Sequence, residues 1–321
     1  MRRESPVRLH RHTPCAALCD TLPPLAQPVV RSCTVFAVED WRIRRKLALK
    51  QRSVRAANEF AQTLFRINPG PMNPIVIIPA RMAATRLPGK PLAEIGGEPM
   101  IVRVLKAAEA AGIGPVAVAA GDSEIAWAVE AAGGRAVLTD PALPSGSDRI
   151  LAALDEIDPE GAHDVVVNLQ GDMPFVAPEV LTACIDLMAR EAACDIATVV
   201  APEDSQADRA NPDVVKAVLA IPTGQAHGRA LYFTRSTLHG EGPIWRHIGI
   251  YGYRRDALRR FNAAPPSPLE KREKLEQLRA LELGMQIWAA TIDKPPISVD
   301  TPADLERARA EAQQWARRIE E

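Results

Sequence analysis

The chain has 321 residues, 47% of them hydrophobic and 25% charged, which suits a globular protein with a sizeable core and allows one large domain or two. Its formal net charge of -1 argues against a partner held by bulk charge, and no run of about 18 apolar residues offers a membrane span. Five cysteines, Cys15, Cys19, Cys33, Cys184 and Cys194, form no CxxC pair, so neither a zinc site nor a disulfide framework is indicated and a reducing, cytoplasmic setting is expected.

Residues 1–71 differ from the rest. They are rich in arginine and poor in acids, and "WRIRRKLALKQRSVRAANEFAQTLFRI" has the makings of a basic helix. An acid-poor basic leader fits a transit peptide or a basic arm for nucleic acid or membrane. The expectation is that Met72 is the natural start, so that 1–71 is a non-native or disordered basic extension and 72–321 the working domain. From Ile75 the pattern becomes regular. "PIVIIPA" (74–80) reads as a buried strand, "MIVRVLKAAEAAG" (100–112) as a helix stopped at Gly112, and "PVAVAA" (115–120) as a strand. A helix follows over "SEIAWAVEAAGG" (123–134), with Ser123 as N-cap and Gly133 as stop, then a short strand at "AVLT" (136–139). "SDRILAALDEI" (147–157) is a helix with Ser147 as a natural cap, and "DVVVNLQ" (164–170) a strand. "PEVLTACIDLMAREAA" (178–193) is a helix and "DIATVVAP" (195–202) a strand. The later part is mixed. "VVKAVLA", "ALYFTRS", "HIGIYGYRR" and "QIWAATI" are β-like, "SPLEKREKLEQLRALELG" (267–284) reads as one helix, and residues 301–321 form a helical tail.

Strands alternating with helices of about 10–15 residues argue for βαβ units and a parallel sheet, whose strands are apolar throughout because both faces are covered. Ligands of such sheets bind beyond the carboxyl ends of the strands. The segment after the first strand, "PARMAATRLPGKPL", carries Arg81, Arg86 and Lys90 with no acid among them. Guanidinium forks and an ammonium match phosphate oxygens, although a solvated basic loop would look the same. Neither GxxxxGK[ST] nor GxGxxG is present in it. "VVVNLQGDMP" places Asp172 just past a buried strand, and "PPISVDTPADLERA" places Asp300 similarly. Carboxylates there suit Mg2+, while a turn or helix cap is the plainer use of either. Together with the cationic loop they point to metal-assisted phosphoryl or nucleotidyl transfer.

The series "IIPARMAATRLPGKPL", "SGSDR", "NLQGDMP", "ALYFTRS", "RHIGIYGYR", "SPLEKREKLEQLR" and "VDTPADLERAR" closely resembles the 3-deoxy-manno-octulosonate (Kdo) cytidylyltransferases, from about Pro74 to Ala310. The resemblance implies an α/β nucleotide-diphospho-sugar transferase (Rossmann-like) fold, with a mostly parallel sheet, helices on both faces and an additional dimerisation part. It implies transfer of CMP from CTP to Kdo with Mg2+, for lipopolysaccharide assembly, by a homodimer with neither nucleic-acid nor membrane partner. Lys90, Asp172 and Asp300 would be catalytic, with Asp172 and Asp300 on the metal. Arg81, Arg86, Lys90, Ser145, Gly146 and Arg149 would hold CTP, and Gln170, Arg235, His247, Tyr251, Glu276 and Gln277 the sugar acid. His247, Gly249, Tyr251 and Tyr253 alternate onto one strand face opposite Ile248 and Ile250. Leu275, Leu278 and Leu281 form an apolar stripe, with Glu276 pointing away from it. Two departures stand out. Met173 replaces the family's usual acid, and "AAGD" replaces "ATD", shifting Asp122 by one place and leaving it out of the expected site. Other readings are a cytidylyltransferase for sialic acid or another ulosonic acid, a non-catalytic nucleotide binder, and a nucleic-acid binder using residues 1–71.

Overall fold

The structure, a computed structural model, describes residues 72–83 and 86–320. The expectations for 1–71, the basic helix included, lie outside the described residues.

The first strand, β1 (Pro74–Ala80), is buried along nearly its whole length. It pairs in parallel with β4 (Val116–Ala120) on one side and β6 (Val165–Asn168) on the other, and β4 pairs in parallel with β5 (Arg135–Leu138). Covering on both faces explains the unbroken apolar runs: Val76 and Ile78 join one core layer, Ile75 and Ile77 the other, and Val165 and Val167 part from Val166 in the same way. Helices α1 (Met100–Ala110), α2 (Ser123–Ala131) and α4 (Pro178–Arg190) bury their apolar stripes in the first layer, through Met100, Ile101, Ile125 and Leu181 among others. Helix α3 (Gly146–Ile157) packs Ile150, Ala153 and Leu154 into the second.

Beyond β6 the expected mostly parallel arrangement gives way to a mixed one. The nine-stranded order is β5-β4-β1-β6-β10-β7-β11-β9-β8, with β7 at Ile196–Glu203, β8 at Lys216–Ala220, β9 at His227–Thr234, β10 at Ile244–Arg254 and β11 at Ile287–Thr291. β10 runs antiparallel to β6, β7 and β8, and β9 antiparallel to β11 and β8; only β7 and β11 pair in parallel here. Because β8 returns to β10, the five strands β10, β7, β11, β9 and β8 close on one another. β10 also carries an irregularity: Ile248 faces Val199 and Tyr251 faces Thr198, so Gly249 and Ile250 are inserted. Two extra residues preserve parity, and Ile248 and Ile250 keep to one core layer while Tyr251 and Tyr253 keep to the other.

Several sequence expectations need correction. Ser123 is the first residue of α2, and the capping position is Asp122, which makes no capping bond. The single helix over 267–284 is two, α7 (Pro268–Glu273) and α8 (Gln277–Glu282), broken at Lys274 with φ 56°. The break lets Arg279 fold back on Glu270, its Nε 2.8 Å from Oε2 and Nη2 2.6 Å from Oε1, while Glu270 also closes a capping box with Ser267. Short elements that the pattern did not announce are a β2–β3 hairpin (Glu94–Ile95, Glu98–Pro99), α5 (Gln206–Ala210) and α6 (Arg255–Ala263). The tail helix is α9 (Pro302–Glu320).

The approach of β9 to the turn after β8 needs a glycine. A Cβ on Gly228 would stand 2.4 Å from the Ala220 carbonyl oxygen, and the obstacle is backbone. Gly228→Ala is expected to cost about 1–3 kcal/mol in urea unfolding; an unchanged midpoint would mean that the strand pair yields freely.

Candidate functional site

Loops at the carboxyl ends of β1, β5 and β6 meet over an open cleft. The loop after β1 doubles back at Gly89, whose φ of 70° is a glycine conformation, and Gly89 N–H reaches the Met82 carbonyl at 3.3 Å. This turn opens a 3-10 segment at Lys90. Lys90 Nζ lies 2.8 Å from Asp172 Oδ2 and 3.2 Å from Asp300 Oδ1, and Arg86 Nη2 lies 3.4 Å from the same Asp300 oxygen. Four charges from three distant parts of the sequence thus become one cluster. Val299 N–H, donating to the Asp172 carbonyl at 2.9 Å, ties the two acid-bearing segments together.

The capping alternative for Asp300 fails on geometry. Thr301 Oγ1 accepts from Asp304 N–H at 3.2 Å, and Asp304 Oδ2 accepts from Thr301 N–H at 2.9 Å and Asp300 N–H at 3.1 Å. Thr301 and Asp304 start α9, which leaves the Asp300 carboxylate to the cleft. Asp172 is the more enclosed acid, its side chain 19% exposed against 42% for Asp300. Burial raises its pKa, with Lys90 opposing and Asp300 adding to the rise. Burial also works against the Lys90 charge, but the two carboxylates outweigh it and hold the ammonium above its ordinary value. Asp172 Oδ1 is buried with no hydrogen-bond partner. Hard oxygens, one of them unsatisfied, fit a divalent cation that takes its remaining ligands from phosphate and water.

The cleft continues past Arg81 and Gln170 to Ser145, Gly146 and Arg149. Ser145, not Ser147, caps α3, accepting from Asp148 N–H at 3.1 Å. Arg149 is buried, and its guanidinium donates to Thr139 Oγ1 at 2.5 Å and the Asp140 carbonyl at 3.2 Å. Burial first, then the Arg81 charge, lowers its pKa. Asp122, left out of the expected site, has a part here: its Oδ2 accepts from Met82 N–H at 2.7 Å and pins the cationic loop beside Arg81. A carboxylate at a strand end facing a loop amide was the available signal, obscured by the shifted motif. Met173, which the resemblance set in place of an acid, is buried in the first core layer as a packing residue.

The residues expected for the sugar are partly gathered. A Cβ on Gly249 would stand 3.7 Å from Cγ of Gln170, so β10 passes close behind that side chain. His247 packs edge-on to Phe233, centroids 4.9 Å apart, and 5.4 Å from Tyr251. Its Nε2 lies 3.0 Å from Thr198 Oγ1. Enclosure pushes the imidazole down to about 3, so it is neutral at neutral pH. Burial, with the Glu276 charge adding to it, raises the Tyr251 phenol. Glu276 Oε1 accepts from Ser147 Oγ at 2.7 Å and lies 3.5 Å from Arg279 Nη2. Gln277 is buried at the start of α8. Arg235 stands apart from this group: its guanidinium donates to the Pro212 carbonyl at 2.9 Å, and it does not line the cleft that holds Lys90. Among the described residues no group of three or more His, Cys, Asp or Glu side chains is arranged to hold a metal.

The cytidylyltransferase family model matches residues 75–287. A protein of Parvibaculum lavamentivorans named 3-deoxy-manno-octulosonate cytidylyltransferase is 59% identical over 239 residues, covering 74% of this chain and 92% of its own length. The chain belongs to the cytidylyltransferase family. A second relative of the same name, from Rhodospirillum centenum, is 58% identical over 75% of this chain and 93% of its own length. Among solved structures, a CMP:2-keto-3-deoxy-manno-octonic acid synthetase complexed with CTP is 37% identical, with a TM-score of 0.68, covering 75% of this chain and 99% of its own. These matches support a mixed α/β nucleotidyltransferase-type fold.

The half-buried His247 gives this family member a pH signature. Its folded pKa is about 3 against an ordinary 6.5, so below pH 6.5 the unfolded chain binds a proton that the folded one refuses. Stability from this group is complete above about pH 6.5 and falls as pH drops toward 3. His247→Gln should therefore flatten the loss of stability between pH 7 and 5 by up to about 2 kcal/mol. Parallel slopes in urea titrations of the two proteins would show that the ring is solvated.

Proposed function

We propose that this chain transfers CMP from CTP to 3-deoxy-D-manno-octulosonate, giving CMP-Kdo and pyrophosphate and so activating the sugar acid for lipopolysaccharide assembly. The observation that carries the reading is the convergence of Lys90, Asp172 and Asp300 in one cleft of a chain whose relatives bear that name. We assign the reaction to residues 72–321, acting as a cytoplasmic homodimer without nucleic-acid or membrane partners. Among the described residues no helix is long and apolar enough to cross a membrane.

Arg81, Arg86 and Lys90 bind the triphosphate, and as the bond to the α-phosphorus breaks they offset the charge gathering on the departing pyrophosphate. Ser145, Gly146 and Arg149 line the nucleotide side of the cleft. Gln170, His247, Tyr251, Glu276 and Gln277 receive the sugar hydroxyls, and Arg235 meets the carboxylate with a guanidinium fork. The anomeric hydroxyl then attacks in line. The protein contributes mainly alignment and fixed charge, which suits a reaction with little covalent work for side chains. Asp172 and Asp300 would hold Mg2+, which when bound supplies charge neutralisation at phosphate oxygens and lowers the pKa of a coordinated hydroxyl.

The discriminating experiment is pyrophosphate release by the full chain with CTP, Mg2+ and either Kdo or N-acetylneuraminate. Release with Kdo alone is expected; release only with the sialic acid would keep the mechanism and overturn the substrate. Asp122→Ala, which frees the Met82 amide, should raise KM for CTP about tenfold, with Asp122→Asn milder because an acceptor oxygen remains. An unaltered KM would remove Asp122 from the nucleotide side.

A further inference from the structure

Lys216 sits where β8 meets both of its neighbours, opposite Thr234 of β9 and opposite Arg246 of β10. The two strands it joins carry the motifs with Arg235 and His247, and His247 N–H itself donates to the Val215 carbonyl at 2.9 Å. The Lys216 side chain is wholly buried, and its ammonium donates to the carbonyls of Asn211, at 2.6 Å, and Arg235, at 2.9 Å. A buried ammonium is costly unless its donors are met, and neutral carbonyls are a spare way to meet them. Burial, then the charge of Arg235, lowers its pKa, with Asp208 opposing. Packing alone would be served as well by methionine.

The other side of Arg235 is held by the opposite charge. Glu273, at the end of α7, accepts from Arg235 N–H at 3.2 Å and from Thr234 Oγ1 at 3.1 Å through Oε2, and from Tyr232 O–H at 3.4 Å through Oε1. Its side chain is only 13% exposed, and Arg272 Nε is 3.9 Å away. The amide nitrogen of Arg235 thus meets an anion and its carbonyl a cation, and charge-assisted bonds are stronger than neutral ones. Lys216 also grips the residue before Pro212, whose carbonyl supports the Arg235 guanidinium.

We propose that Lys216 and Glu273 are positioning residues for the sugar-acid end of the site: a two-charge clamp on the backbone of Arg235 that presents its guanidinium to the carboxylate of the incoming sugar. The clamp rests on the assignment of Arg235 to that carboxylate given above. It explains why a residue distant from the Lys90 cluster is held by ions rather than by packing.

The test is steady-state kinetics of the full chain with CTP, Mg2+ and Kdo. Glu273→Ala should raise KM for Kdo about tenfold or more while KM for CTP and kcat stay within about twofold, and Glu273→Gln, which keeps an acceptor, should recover most of the loss. Lys216→Met should follow the same split; should it fail to fold, the Glu273 pair carries the test. Arg235→Ala should raise KM for Kdo at least as far, and adding Glu273→Ala to it should do little more, because the clamp acts through Arg235. Equal losses toward both substrates, or multiplied effects in the double variant, would overturn the clamp. Should Arg235→Ala leave KM for Kdo unchanged, the clamp would fall for a separate reason, the assignment of Arg235 itself.

Discussion

One ammonium holds the candidate site together. Lys90 Nζ lies within 3.2 Å of both Asp172 and Asp300, and so reconciles two carboxylates from distant parts of the chain. Without a cation between them these acids would repel one another at the mouth of a half-buried cleft, and Asp172 in particular would be driven toward its neutral form. Much of the nearby backbone serves that meeting. Gly89 takes a left-handed turn that starts the segment with Lys90, Val299 N–H locks the Asp300 segment to Asp172, and Thr301 with Asp304 starts the last helix so that Asp300 need not. Of the charges on the cationic loop, Lys90 and Arg86 are matched by acids, and Arg81 and Arg86 line the cleft.

From that cluster the cleft runs past Gln170 toward the start of α3, and there the nucleotide and sugar sides touch. Ser147, set in the segment read as nucleotide-binding, donates to Glu276, set in the segment read as sugar-binding. Further on, the closed ring of five strands supplies a stiffer support than a loop could. It carries His247 and Tyr251 on β10 and brings Arg235 to the end of β9, with His247 bonded to Thr198, the Arg235 amide bonded to Glu273 and Tyr251 packed against the His247 ring. Positioning by rigid elements is what a transfer reaction with little acid–base chemistry requires.

The parallel half of the sheet was legible because strands covered on both faces carry unbroken apolar runs, as "PIVIIPA" and the three valines 165–167 do. Asp172 and the cationic loop were legible because strand ends are where such sheets bind. Asp300, expected just past a strand, instead follows an irregular segment beyond the end of β11 at Thr291, and it reaches the cluster through the Val299 bond to Asp172. The remainder depended on contacts that no local pattern contains. The break at Lys274 accompanies the return of Arg279 to Glu270, a contact between residues nine apart, while the apolar stripe of Leu275, Leu278 and Leu281 beyond it suggests a continued helix. The helix α3 begins one residue earlier than its apolar pattern suggests, so Ser145 takes the cap and Ser147, inside the first turn, donates to Glu276. Asp122 finds its partner 40 residues earlier in the chain. The ring of strands rests on β8 reaching β10, a pairing with no sequence signature.

The most direct test is single-turnover CMP transfer by Asp172→Asn and Asp300→Asn, with CTP and Kdo saturating and folding checked by urea midpoint. If the Lys90–Asp172–Asp300 cluster is the reaction centre, each variant should remain folded and lose at least about 100-fold in rate, Asp172→Asn the more. A folded Asp172→Asn protein that transfers CMP at the parent rate would contradict the central assignment and move the chemistry elsewhere.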